Sequence, residues 1–297
     1  LLKEMKAAAN PRSGARKTFD KALFSHVGHI ISNLVRAFML ALTGGFATRA
    51  PVSGPTARYF RQLSRMSAAF SFTSDLVLVL LGGRFKFKEK LSGRLADALI
   101  HLYMGSAVLK RFEDDGRPEA DLPMVKWAMD DSLYIIQESL RGVLSNFPVP
   151  GIGRLVRWIV FPFGASYSQA SDRNGKAVAQ LLLSENESRD RLVSGVYVSD
   201  EDDASGRVHR AFNLVLKSAR AENAIRNALN ESVTFANYKE LVQKAVETGV
   251  ITEEQATMVR LAQEASRAVI MVDDFPRSAI ENLDKDAFRP AVSAAQG

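Results

Sequence analysis

The sequence predicts an all-α protein, an antiparallel helical bundle followed by a second, more irregular helical region. Three observations carry this. Apolar residues recur at three- and four-residue steps along most of the chain. Glycine pairs and Asp-Gly or Asn-Phe-Pro breaks separate these stretches. No alternating apolar and polar run is long enough to form a convincing strand pair.

Residues 1–9 are good helix formers, stopped by Asn10-Pro11, and Gly14 continues the loop. Asp20 is expected to cap the next helix. There Phe19, Leu23, Val27, Ile30, Leu34 and Phe38 form one stripe, and Phe24, Ile31, Val35 and Leu42 form a second beside it. An apolar face that wide predicts a substantially buried helix, ended by Gly44-Gly45. Residues 46–56, rich in Pro, Gly, Ser and Thr, read as a long loop.

A strong helix is predicted from Ala57 to Leu81, ended by Gly82-Gly83. Phe85 and Phe87 alternate with Arg84, Lys86 and Lys88, but the run is short and reads as a connection. The next helix spans Leu91 to Phe112, with Leu91, Leu95, Leu99, Leu102 and Leu109 on one side. Asp114-Asp115-Gly116-Arg117-Pro118 breaks it, and a helix from Asp121 to Leu144 follows, patterned by Val125, Met129, Leu133, Ile136 and Leu140. Three consecutive helices of about 30–38 Å, at about 1.5 Å per residue, joined by short turns predict antiparallel packing.

Beyond Pro150 the pattern breaks up. Arg154 to Phe163 is a short apolar and basic segment, and Asp172 to Leu183 a short helix. Residues 200–203 form an acidic loop, and helices are expected near 205–219, 221–229, 236–247 and 253–270. Thr252 with Gln255 three residues on matches a capping box. Periodicity is lost after Phe275, where the tail is expected to be extended or loose.

The chain has 297 residues, 46% apolar and 24% charged, ordinary values for a globular protein with one large core or two smaller ones. A net charge of +6 from 39 basic and 33 acidic residues gives no strong nucleic-acid signal, but suits weak attraction to anionic membranes or acidic ligands. With no cysteine, disulfides, thiolate zinc sites and cysteine nucleophiles are excluded. The chain opens Leu1-Leu2-Lys3-Glu4-Met5 without a signal-peptide pattern and is expected to continue from something longer. No uninterrupted apolar run reaches bilayer-spanning length, since Asp75 interrupts the longest, Met66 to Leu81.

Candidate chemistry is sparse. His26 and His29 lie three apart on one predicted helix, but without neighbouring carboxylates they read as hydrogen-bonded or surface histidines rather than metal ligands. His101 follows Asp97 by four residues, a helical charge pair, and His209 reads as exposed. There is no G-x-S-x-G elbow and no P-loop. Gly151 and Gly153 follow a proline rather than a strand, so they make no dinucleotide fingerprint. The acidic run lacks EF-hand spacing and reads as a solvated loop.

The sharpest candidate is the segment 151–164. Arg154, Arg157, Trp158, Phe161 and Phe163 mix aromatic rings with cations, as a bilayer interface requires. The competing reading, an amphipathic core helix whose arginines reach back to water, is favoured by its shortness.

Several blocks carry a resemblance. LSRMSAAFSFTSDLVLVLLGG (63–83), EKLSGRLADALIHLYMGSAVLKRFEDDGR (89–117) and EADLPMVKWAMDDSLY (119–134) resemble the C-terminal region of FadE-type bacterial acyl-CoA dehydrogenases. So do FDKALFSHVGHIISNLVRAFMLALTGG (19–45), VFPFGASYSQASDRNGKAVAQLLL (160–183) and VDDF (272–275). RLADALIHLYMGSAVLKR is also distantly similar to the appended helical region of very-long-chain acyl-CoA dehydrogenases.

The resemblance implies an FAD-dependent parent enzyme of fatty-acid β-oxidation that converts acyl-CoA to trans-2-enoyl-CoA. A glutamate takes the α-proton, FAD takes the β-hydride, and the electrons pass to an electron-transfer flavoprotein. In the family that glutamate belongs to a V-E-G-A-N-like motif before the position equivalent to Leu1. No catalytic residue is therefore assigned here, and this segment alone is not expected to bind FAD. The resemblance further implies three parts. Residues 1–52 would continue the helices of an upstream catalytic portion, 53–148 would form the bundle, and 149–297 a family-specific helical region with a loose tail. Implied partners are the catalytic portion, a homodimer mate and a peripheral membrane contact, with no nucleic acid. The implied location is cytoplasmic or peripheral at the inner membrane. The alternative is a free-standing helical interaction or membrane-docking module without enzymatic activity.

Overall fold

The structure, a computed structural model, describes residues 15–199 and 203–271. Every regular element among them is helical. The expected helix over 1–9 and the tail after Phe275 lie outside the described residues. The chain divides into two compact units, residues 1–182 and 183–297.

Unit 1 begins with α1 (Ala15–Leu42) and α2 (Ala57–Leu81). After a 3-10 turn (Gly82–Phe87) come α3 (Glu89–Asp114) and α4 (Leu122–Ser145), then the shorter α5 (Pro150–Val160) and α6 (Asp172–Leu182). Asp20 caps nothing, because the helix already runs from Ala15; the good helix formers after Gly14 start it a turn earlier than expected. The expected bounds of α2 hold to the residue.

The core lies between α2, α3 and α4. Met66, Leu109, Met129, Leu133, Ile136 and Leu140 are fully buried, each stabilising the fold by about 1.5–3 kcal/mol relative to exposure. Small residues let these helices approach. A Cβ on Gly105 of α3 would meet the Leu63 side chain at 3.3 Å and the Met129 side chain at 3.4 Å. This corrects the expected register of α3. The buried side runs Leu91, Leu95, Ala98, Leu102, Gly105, Leu109 and Phe112, while Leu99 is 54% exposed. Ala98 and Gly105 take the contact, and leucine spacing alone misplaces it.

The expectation of a substantially buried first helix is also corrected. Ala37, Leu40 and Ala41 are buried, and Ile30, Leu34 and Phe38 pack against the core. The second stripe, Phe24, Ile31, Val35 and Leu42, is exposed, because among the described residues α2 and α5 pack on the other side of α1. Asn33 Nδ2 donates to Asp75 Oδ2 at 2.7 Å, fixing the register of α1 on α2.

Unit 2 holds α7 (Glu187–Val193), α8 (Ala204–Leu229), α9 (Tyr238–Glu247) and α10 (Glu253–Ile270). The two helices expected near 205–219 and 221–229 are one, since Arg220 interrupts nothing and no glycine or proline intervenes. Of the acidic run, Asp203 is described. It caps α8 by accepting the Gly206 N–H at 2.8 Å, and that bond holds its carboxyl below the usual range. The capping box of α10 is present in full: Thr252 Oγ1 accepts from Gln255 N–H, and Gln255 Oε1 accepts from Thr252 N–H. Ile225, Val242, Ala245, Ala256 and Val259 form the core of this unit.

Candidate functional site: the apolar face of α1 and α5

α5 is held against the bundle by a glycine. A Cβ on Gly153 would fall 2.6 Å from the Leu144 carbonyl oxygen and 2.6 Å from Phe147 Cβ, so only glycine allows this approach. That contact turns Val156, Ile159 and Val160 inward. The opposite side carries Arg154, Leu155, Arg157 and Trp158, all exposed.

The five residues expected to act together separate into two sets. Trp158 is 59% exposed and Phe163 is 73% exposed, with Arg154 and Arg157 on the same exposed segment. Phe161 does not join them. It is buried in the unit 1 core, because the chain leaves the helix there and turns its ring inward.

Trp158 also meets α1. Its ring centroid lies 5.6 Å from that of Phe38, with the planes at 34°. On α1, Phe38 borders the exposed stripe of Phe24, Ile31, Val35 and Leu42, one step around the helix. Trp158 thus connects α5 to that stripe, and Leu155 extends the apolar surface. Single exposed hydrophobes are ordinary, but a run of this extent marks a surface that something covers.

Sequence reasoning missed a buried polar centre where the segment after α5 meets α2 and α4. Arg65 on α2 is buried, and its Nη1 donates to Ser166 Oγ and to the Tyr167 hydroxyl, each at 3.2 Å. Its guanidinium stands 5.4 Å from the centre of the Tyr167 ring. Gln137 on α4, fully buried, accepts the Ser166 and Tyr167 N–H groups at 2.7 and 2.9 Å and donates to the Tyr167 carbonyl at 2.9 Å. Burial pushes the Tyr167 hydroxyl above its usual pKa, with Arg65 opposing. These bonds fasten the segment after α5 onto α2 and α4. An arginine in a helical pattern reads as a solvent-facing residue, so no sequence signal pointed to this centre.

The histidines are placed as follows. His29 Nε2 lies 3.0 Å from Asn33 Nδ2 and 3.7 Å from Asp75. His209 pairs with Asn213 at 3.0 Å on the surface. No ion pair joins His101 to Asp97, and the His101 Nδ1 is buried without a partner. No group of three or more potential metal ligands occurs among the described residues.

Two surface clefts stand out in unit 1. One is lined by Arg49 to Ser53, and the other by residues from Leu81 to Arg94 with Asn146 and Pro148. Neither joins a walled apolar slot for a flavin ring to donors for a pyrophosphate. By length and composition, two helical stretches could cross a bilayer, 17–42 and 57–87. Uninterrupted apolar runs had pointed to neither.

The family model described as acyl-CoA dehydrogenase, C-terminal, bacterial type, matches residues 1–275. No solved structure matches the chain.

Proposed function

Because the chain belongs to the bacterial-type acyl-CoA dehydrogenase C-terminal family, we propose that it serves as the helical C-terminal part of an FAD-dependent enzyme of fatty-acid β-oxidation. That enzyme converts acyl-CoA to trans-2-enoyl-CoA and passes electrons to an electron-transfer flavoprotein. The proton abstraction and hydride transfer belong to the catalytic portion, and no catalytic residue is assigned to this chain. Its contribution is packing, with residues 1–52 continuing the helices of that portion, 53–148 forming the bundle and 149–297 completing the region.

The observation that carries this reading is the exposed stripe Phe24, Ile31, Val35 and Leu42, continued onto α5 through Phe38 and Trp158. An amphipathic helix apolar on two sides and covered on one needs a second partner. The catalytic portion is the partner the family supplies. A test is the full-length enzyme carrying Ile31→Asp and Val35→Asp. The expected outcome is lower flavin content and lower acyl-CoA turnover with helical content retained. A full-length protein without flavin absorbance and without turnover on acyl-CoA would overturn the enzyme assignment itself.

One observation favours a second reading for α5. Arg154 and Arg157 flank Trp158 on an exposed surface, an arrangement suited to lipid headgroups. In that reading the face is a peripheral membrane contact of a cytoplasmic protein. Loss of vesicle binding in an Arg154→Glu, Arg157→Glu, Trp158→Ala variant would favour it over docking to protein.

A further inference from the structure

α2 ends on three consecutive exposed apolar side chains, Leu78, Val79 and Leu80. The chain then turns through Gly82–Phe87, where Phe85 folds onto the core and Phe87 stays 74% exposed. Arg84, Lys86, Lys88 and Lys90 around it are exposed, and Arg94 follows one turn into α3. Against these five cations the stretch 84–94 has one carboxylate, Glu89. None of the five forms an ion pair with a described residue, whereas the cations at the other end of α3, Lys110 and Arg111, are paired with Asp114 and Asp115. The Lys86 ammonium lies 4.9 Å from the centre of the Phe87 ring. Arg84, Phe87, Lys88, Lys90 and Arg94 line one cleft with Leu81 and Leu91, so charge and apolar surface converge.

From this we infer that the corner formed by the end of α2, the 3-10 turn and the start of α3 docks on an anionic lipid bilayer. Charge complementarity selects an anionic partner. The apolar side chains select among anionic partners. A soluble phosphate or carboxylate would engage the cations and leave Leu78, Val79, Leu80 and Phe87 in water. A bilayer surface takes both, with headgroup phosphates meeting Arg and Lys and the apolar side chains entering the boundary with the acyl chains. The inference rests on residues apart from the α1 and α5 face and does not depend on the flavoenzyme reading.

The test is co-sedimentation of the full-length protein with vesicles of mixed phosphatidylglycerol and phosphatidylcholine, and of phosphatidylcholine alone. A parallel arm offers soluble polyglutamate. Each cation near an anionic surface is worth about fivefold in partition. Losing three cations alone should therefore lower binding to the anionic vesicles on the order of a hundredfold, so the charge-reversed Lys86→Glu, Lys88→Glu, Lys90→Glu should lose at least that much, and parent binding should weaken with salt. A Val79→Ser, Phe87→Ser variant, which keeps every charge, should lose at least about tenfold. Arg154→Glu, Arg157→Glu, Trp158→Ala should bind as the parent does. The inference is overturned by equal binding to neutral vesicles, by unchanged binding in the charge-reversed variant, or by a loss confined to the α5 variant. Polyglutamate binding as tight as vesicle binding, unaffected by Val79→Ser, Phe87→Ser, would also overturn it and point to an acidic protein segment. Flavin content and acyl-CoA turnover, read on the same samples, separate failure of this inference from failure of the family reading.

Discussion

The rings of Phe38 and Trp158 meet at 5.6 Å between centroids and 34° between planes, and this contact joins α1 to α5. Aromatic pairs of this kind contribute about 0.5–1.5 kcal/mol beyond the area they bury. A double-mutant cycle with Phe38→Ala and Trp158→Ala, read by urea denaturation, should give a coupling energy in that range. Additive single effects would mean that α5 is held without the pair.

The register of α3 is tested by two leucines. Leu102 is buried and Leu99 is more than half exposed. Leu102→Ala should cost about 2–5 kcal/mol, and Leu99→Ala should stay within about 0.5 kcal/mol in chemical denaturation. The reverse order would restore the face expected from leucine spacing.

Two glycines of α5 should respond with opposite signs. Alanine is a better helix former than glycine by about 1 kcal/mol. A Cβ at Gly151 meets nothing within 4 Å, so Gly151→Ala should be neutral or stabilising. A Cβ at Gly153 would stand 2.6 Å from a backbone oxygen that cannot move aside. Gly153→Ala should destabilise by about 1–3 kcal/mol and lower the melting temperature.

Tyr59 gives a pH dependence. Burial is the main cause pushing its hydroxyl up to about 12, while Arg58 pulls it down and Asp130 raises it further. The folded state then holds a proton that the unfolded chain releases near pH 10, so the linked stability is fully present below about pH 10 and is lost as pH rises through about 12. Urea midpoints measured across that window should fall with rising pH, and Tyr59→Phe should flatten the decline by up to about 1.4 kcal/mol per pH unit. A slope unchanged in Tyr59→Phe would assign the effect elsewhere.

Much of the fold was legible because breakers and caps are local. Gly82-Gly83 and the Thr252–Gln255 box mark the ends of α2 and the start of α10 without reference to the rest of the chain. Packing is not local in that way. The period of α1 showed two apolar stripes but not that only one would meet α2 and α5. Leucines drew the α3 face toward Leu99, while the close approach is set by Ala98 and Gly105, residues whose value lies in what they lack. Of the candidate site, the mixture of Trp158 with two arginines was legible, but its exposure was not, since the shortness of the segment favoured a core helix. The inward turn of Phe161 was not legible either, since it depends on where α5 ends. The Arg65, Gln137 and Tyr167 centre joins residues about a hundred positions apart, beyond the reach of any local pattern.

The central claim, that the catalytic portion covers the α1 and α5 face, is tested most directly by hydroxyl-radical footprinting of the full-length enzyme. Phe24 and Phe87 are matched in this chain, at 73% and 74% exposed. In the absence of membranes the account predicts that Phe24 is labelled several-fold more slowly than Phe87, with Phe163 following Phe24. Equal labelling of Phe24 and Phe87 would contradict it.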